Sequence, residues 1–246
     1  MRERTKTIHG VRLGILCLET SFPRIVGDAG NAQTWPFPVL FKIVRGATAQ
    51  LVVHEKGRGL NSAFLQAAEE LVSDGADGIT TTGGFLSVFQ KELAAHAGVP
   101  VASSSLMQIP LAQALLAPGK RVGVITIHGQ RLSADHLTAA GAPADTPIVG
   151  TESGTEITRV MLEGRPELDF AKAEADVLGA GREMLERHPD VGSLVLECHN
   201  MAPYSARLQK ELRVPIFDVY TFVKWFHSGL APRDFGNGVR ADQRWE

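Results

Sequence analysis

Cysteine is scarce in this chain: two residues in 246. That is too few for a disulfide framework, and a reducing, cytoplasmic setting is the expectation. Charge of one sign is equally lacking. Twenty-five Lys and Arg stand against 27 Asp and Glu, a formal net charge of −2, with no basic stripe, so nucleic acid is not expected as a partner. Every apolar run falls short of the roughly 18 residues needed to span a membrane, so no membrane partner is expected either. The opening Met-Arg-Glu-Arg-Thr-Lys is charged and runs straight into a strand-like segment, which reads against a secretory leader. The eight His are scattered, with no HExxH and no Cys/His zinc spacing, so no metal site is expected. GxxxxGK[ST] and GxSxG are missing too. A near-miss to a dinucleotide fingerprint, Gly57-Arg58-Gly59-Leu60-Asn61-Ser62, lacks both the strand-turn-helix setting and the acidic partner, and reads as a turn.

What remains is an average soluble composition, 44% hydrophobic and 21% charged, arranged as alternating strands and helices. Residues 11–18 (VRLGILCL) read as a buried strand and 51–53 as a short second one. Residues 61–73 carry apolar side chains at helical spacing, 78–82 form a third strand, 86–97 a helix and 99–103 a fourth strand. The pattern then starts again. Residues 121–127, 148–150, 192–198 and 214–218 repeat the four strands, with a long amphipathic helix over 168–187. Val99-Pro100-Val101 and Val214-Pro215-Ile216 lie 115 residues apart, and the same shift sets Ile79 on Leu194 and Gly83 on Cys198. A duplicated α/β unit follows: two similar parallel-sheet, Rossmann-like (flavodoxin-like) halves related by a pseudo-two-fold axis. The expected boundaries are 1–117, 118–225 and a segment 226–246. Within that last segment, Phe226 joins Trp225 in a core helix packing back on the first half, and 236–246 is a frayed polar tail.

Open parallel sheets bind ligands beyond the C-terminal ends of their strands, so two such halves predict a site between them. The residues there are Glu19, Thr80-Thr81-Thr82-Gly83-Gly84, Ser103-Ser104-Ser105, Thr126 and Cys198-His199-Asn200. Hydroxyls and small residues of this kind hold a small carboxylate or phosphate. Gly83-Gly84 either lets a ligand approach the backbone or simply makes a tight turn. Cys198 ends a buried strand just before a helix expected near Pro203, a position that lowers a thiol pKa. The alternative is an inert buried Cys, the reading assigned to Cys17. Glu19 either orients a catalytic group or pairs with Arg24. The long loop 22–38, with Trp35 and Phe37, either shapes the pocket or makes a subunit contact.

The segments ITTTGGF and LECHNMAPY, one in each half, resemble the aspartate/glutamate/hydantoin racemase superfamily over nearly the whole chain. The resemblance implies two facing cysteines at the two third-strand ends, no cofactor, and a homodimer or higher homo-oligomer. Cys198 matches the second of those cysteines, whereas Gly83 stands where the first belongs. Arylmalonate decarboxylases, in the same superfamily, have this Gly/Cys pattern: loss of CO2 makes the carbanion and one thiol protonates it. They also carry hydroxyls just after the glycine, where this chain has Gly84-Phe85-Leu86. The implied activity is therefore decarboxylation of a malonate-like acid, with Cys198 as proton donor. Backbone N–H groups at Gly83-Gly84 and His199-Asn200, with Thr82, Thr126, Ser103, Ser104 and Ser105, would hold the oxyanion. Two alternatives stand beside it. One is an amino-acid or hydantoin racemase in which Gly83 is a natural or introduced loss of the first thiol. The other is a non-catalytic protein that binds a small carboxylate.

Overall fold

The computed structural model describes residues 10–235. Each half is a four-stranded parallel sheet. In the first, β1 (Leu13–Leu18), β2 (Val39–Val44), β3 (Gly78–Thr81) and β4 (Val101–Ala102) lie in the order β2-β1-β3-β4. In the second, β5 (Arg121–Thr126), β6 (Ile148–Gly150), β7 (Val191–Leu196) and β8 (Ile216–Phe217) lie in the order β6-β5-β7-β8. The two orders are the same, and the 115-residue register holds at atomic level. Ile79 N–H donates to Pro100 O and Leu194 N–H to Pro215 O, both at 2.9 Å. Every residue of β1 and all but the first of β5 are buried, as expected of central strands covered on both faces.

The helices are α1 (Ala49–Glu55), α2 (Asn61–Ser73), α3 (Gln90–His96), α4 (Ile109–Ala114), α5 (Ala134–Ala139), α6 (Ile157–Glu163), α7 (Phe170–Arg187), α8 (Ser205–Leu212) and α9 (Val219–Leu230). α2 packs on β1 and β2, and α7 on β5 and β6. Four apolar side chains of α2 (Phe64, Ala67, Ala68 and Leu71) recur every three to four residues and are all buried, the stripe that makes it amphipathic.

Two expectations need correction. Residues 51–53 are not a strand but the middle of α1, whose first turn is capped by the Thr48 hydroxyl accepting from Leu51 N–H. The second strand is β2, VLFKIV, starting directly after Pro38. It is an edge strand with Phe41 and Ile43 exposed. The helix expected over 86–97 opens as a 3-10 turn, Gly84–Phe89, before α3.

α9 returns to the first half. Its Val219, Phe222 and Val223 pack with Leu13, Ile15 and Cys17 of β1. The helix runs across residue 225, where the sequence reading closes the second half. Phe226 packs against that cluster, but Trp225 is 59% exposed and takes no core role. The expected tail 236–246 lies outside the described residues. Among the described residues no helix is long and apolar enough to cross a membrane.

Candidate active site

The C-terminal ends of β1, β3, β5 and β7 converge where the halves meet. There, a small cavity of about 40 Å³ is lined by Thr82, Gly83, Gly84 and Phe85 from the first half and by Ile127, Glu197, Cys198, His199 and Asn200 from the second. Leu18, Val52, Val53 and Leu162 make its apolar wall, and Phe22 and Arg24 of the loop 22–38 complete it. This loop is therefore a pocket element. It is anchored by Ala29 N–H donating to His199 O at 3.1 Å. The cavity adjoins a wider cleft of about 590 Å³ that shares Phe22, Ala49, Met161 and Leu162 with it.

Cys198 brings the only thiol to this lining. Its S–H donates to Asn200 Oδ1 at 3.4 Å, and Asn200 Nδ2 in turn donates to Asp28 Oδ2. The expected lowering of its pKa is corrected. Burial raises it well above the ordinary thiol value, with a second push from the neighbouring Glu197. The short 3-10 turn Ala202–Tyr204 that follows does not offset the loss of water around the sulfur. Cys198 rests as S–H, a proton donor. Cys17, with its pKa pushed up to about 11 by burial, sits inside β1 among core side chains, as its structural reading requires.

His199 is fully buried, and both ring nitrogens are engaged across the half–half boundary. Nε2 accepts from Ser105 N–H at 3.1 Å, so Nδ1 carries the proton and donates to Thr81 O at 2.9 Å. Desolvation holds its pKa down to about 4. It is a neutral clamp between the sheets and has no free nitrogen with which to act as a base.

Glu197, which sequence reasoning passed over, is buried between the halves. It accepts from the Thr126 hydroxyl at 2.6 Å and takes backbone hydrogen bonds from Ile127 and Phe85. Burial still dominates and lifts its pKa to about 7. Thr126 thus serves Glu197 and does not line the cavity.

The remaining predicted residues divide sharply. Thr82 lines the cavity, but its Oγ1 accepts from Leu18 N–H at 3.0 Å. That bond uses a lone pair and leaves the Thr82 O–H free to donate, whereas Gly83 N–H is taken by the Thr81 hydroxyl at 3.2 Å and is not free to hold an oxyanion. Ser103, Ser104 and Ser105 are fully buried outside the lining. Ser104 caps Leu106 N–H, and Ser105 Oγ donates to Leu196 O and Glu197 O. Glu19 lines the wide cleft, not the thiol cavity, and pairs with Arg45 at 2.7 Å and Gly46 N–H at 2.8 Å. Arg24 pairs instead with Asp28.

These shifts set a pH dependence for stability. Glu197 keeps a proton in the folded state that the unfolded chain releases near 4.5, so stability falls through this group as pH rises from about 4.5 to about 7. His199, and His136 in α5, go the other way. Both are held down to about 4 against 6.5 unfolded, so each adds stability as pH rises from about 4 to 6.5. Two groups against one give a melting temperature that climbs from pH 4.5 to 6.5. Between 6.5 and about 7 Glu197 acts alone, and a small decline is expected. Thermal unfolding followed by circular dichroism in half-unit pH steps checks this; a plateau from pH 6.5 to 8 with no decline would mean that Glu197 ionises at its ordinary value.

No family model matches the chain. In sequence it is similar to a dimethylsulfoniopropionate lyase of Durusdinium sp. clade D, 25% identical over 231 residues, covering 91% of this chain and 76% of the relative. It is also similar to dimethylsulfoniopropionate lyase 5 of Emiliania huxleyi, 26% identical over 229 residues, but spans only 45% of that protein. In structure it is similar to arylmalonate decarboxylase (TM-score 0.58, 18% identity, 90% of this chain and 92% of that one). An allantoin racemase from Klebsiella pneumoniae (TM-score 0.64, 17% identity, 90% and 88%) and a glutamate racemase from Bacillus anthracis (TM-score 0.57, 15% identity, 89% and 81%) share the architecture. The two-sheet α/β fold is therefore the one found in racemases and decarboxylases of solved structure, and the sequence relatives are lyases.

Proposed function

We propose that this protein is a cofactor-independent, one-thiol lyase that decarboxylates a malonate-like acid and protonates the product with Cys198. The observation that carries the reading is the state of the thiol: one sulfur on the cavity, held as S–H by its burial. The C–C bond to one carboxylate breaks and CO2 leaves. The electron pair passes into the remaining carboxylate, giving an enediolate. The Cys198 S–H then gives its proton to the α-carbon, and the thiolate recovers one from water. The apolar wall of Leu18, Val52, Val53 and Leu162 supports the first step, because a localised carboxylate loses solvation there while the delocalised enediolate suffers less. Gly83 offers no second proton carrier, both ring nitrogens of His199 are engaged, and the Thr82 hydroxyl is too weak a base to serve as one, which tells against two-base racemisation.

A second reading is favoured by the lyase relatives. Elimination from a sulfonio-propionate also needs just one acid/base group next to a carboxylate, and would release the sulfide and leave an acrylate. It requires Cys198 as thiolate, the form that burial disfavours.

Proton NMR in D2O separates these readings. The unmodified protein and Cys198→Ala would each be given methylmalonate, phenylmalonate, dimethylsulfoniopropionate, and D- and L-aspartate. Loss of a malonate carboxylate with one deuteron added to the α-carbon is the expected result. Vinyl signals from dimethylsulfoniopropionate would establish elimination instead, and α-deuteration of an amino acid would establish a racemase. Binding without turnover of any of them would leave a carboxylate-binding protein.

A further inference from the structure

We infer that Arg24 is the group that anchors the substrate's retained carboxylate, and that the loop 22–38 is built to present it. The inference rests on the reading of this cavity as a carboxylate site. Arg24 is the one cationic side chain among the described residues that line it, His199 being neutral. Every other lining group is apolar, neutral or acidic, so an anion entering this cavity has a single partner of opposite sign.

The guanidinium is held in place before any ligand arrives. Nη1 donates to Asp28 Oδ1 at 2.7 Å, Nη2 donates to Thr20 Oγ1 at 3.0 Å, and the group stands 4.9 Å from the centre of the Phe22 ring. Five N–H donors fan out from a guanidinium, and these two bonds use two of them. A planar fork with donors to spare suits a carboxylate. The backbone makes room for it: a Cβ on Gly30 would lie 2.6–2.8 Å from the Arg24 side chain.

Asp28, 1% exposed, links the anchor to the thiol. One of its oxygens takes Arg24 and Gly30 N–H, and the other takes Asn200 Nδ2, while Asn200 Oδ1 accepts the Cys198 S–H. A single carboxylate therefore fixes both the group that would hold the substrate and the group that would protonate it. In these terms Asp28 is a positioning residue and Arg24 a binding residue.

The test reads binding apart from turnover. Methylmalonate, propionate and dimethylsulfoniopropionate, with propionamide as neutral control, would be titrated calorimetrically into the unmodified protein, Arg24→Gln and Arg24→Lys. Loss of a charge-assisted contact should weaken the carboxylates at least about tenfold in Arg24→Gln. Propionamide binding should not change, and Arg24→Lys should restore part of the loss. Because Arg24→Gln leaves Asp28 buried without its partner, the pair Arg24→Gln/Asp28→Asn provides a neutral version if the single variant unfolds. Equal carboxylate affinity with and without Arg24 would overturn the inference, and so would failure of the unmodified protein to bind any carboxylate. Arg24-dependent binding without decarboxylation would leave the anchor standing and sink the proposed reaction instead. For Asp28→Asn, the expected signature is a larger fall in kcat than rise in KM, together with lower stereochemical purity of the product formed from methylphenylmalonate. A purely structural role would change neither ratio.

Discussion

Cys198→Ala should lower kcat by roughly 10²–10⁴-fold, the usual contribution of a placed general acid, and with methylphenylmalonate, whose decarboxylated product carries a stereocentre, should also make the residual product racemic. The two effects have different causes. Breaking the C–C bond asks nothing of the sulfur, so some CO2 is still released by the variant. Water must then protonate the enediolate, and water has no preferred face. Cys198→Ser sharpens the comparison. It retains a donor for Asn200 Oδ1, now 3.4 Å from the sulfur, yet a Ser hydroxyl is a far weaker acid than a thiol, so turnover should fall while the melting temperature stays near that of the parent. Chiral chromatography of the product with stopped-time assays reads both effects. Undiminished rate and full stereochemical purity in Cys198→Ala would remove the thiol from the mechanism.

The parts of the site that were legible in the sequence are those set by strand ends and repeat register. Pro100 and Pro215 occupy equivalent places because each carbonyl accepts from the neighbouring third strand, and that fixes Gly83 and Cys198 as counterparts. Acidity was not legible. Sequence shows a thiol just after Glu197 and just before a helix, but not that Cys198 is 7% exposed and that Glu197 is buried beside it. The hydroxyl run Ser103-Ser104-Ser105 misled for a similar reason. Composition cannot tell hydroxyls that face a ligand from hydroxyls that cap a turn or tie two sheets together, and Ser104 and Ser105 do the latter. The loop 22–38 stood out by its length, yet attention fell on its aromatics. Trp35 packs in the core instead, with its indole N–H on Ala29 O, while the pocket takes Phe22 and Arg24. The i,i+4 spacing of Arg24 and Asp28 was the available signal. Outside a helix that spacing carries little weight, and only the folded loop brings the pair together at 2.7 Å.

Neighbouring glycines should respond to substitution in opposite ways, and the contrast tests how the cavity is built. At Gly83 the backbone is extended, with φ −148°, a conformation open to any residue. An added Cβ would meet only Leu18 and Leu86 side chains at 3.3–3.8 Å. Gly83→Ala should therefore fold with a melting temperature within a few degrees of the parent, and Gly83→Cys is sterically open as well. A second thiol there would give the enzyme a proton carrier on each half, and α-proton exchange of the decarboxylated product in D2O is the gain to look for. At Gly84 the added Cβ would lie 2.1 Å from Glu197 O and 2.3 Å from Glu197 Oε1. The first contact is with backbone and cannot be relieved by turning a side chain. Either the strand end carrying Cys198 moves, or the 3-10 turn that supplies Phe85 N–H to Glu197 does. Overpacking costs about 1–3 kcal/mol, and a buried carboxyl group that loses a donor adds about 1–3 kcal/mol more. For a chain of this size each kcal/mol is worth about 2–4 °C, so Gly84→Ala should lower the melting temperature by roughly 5–20 °C. It should also displace Cys198 and abolish turnover even at temperatures where the variant is folded. Differential scanning calorimetry of Gly83→Ala beside Gly84→Ala decides the matter. Equal melting temperatures would mean that Glu197 does not rest against Gly84, and that the tie between the two halves lies elsewhere.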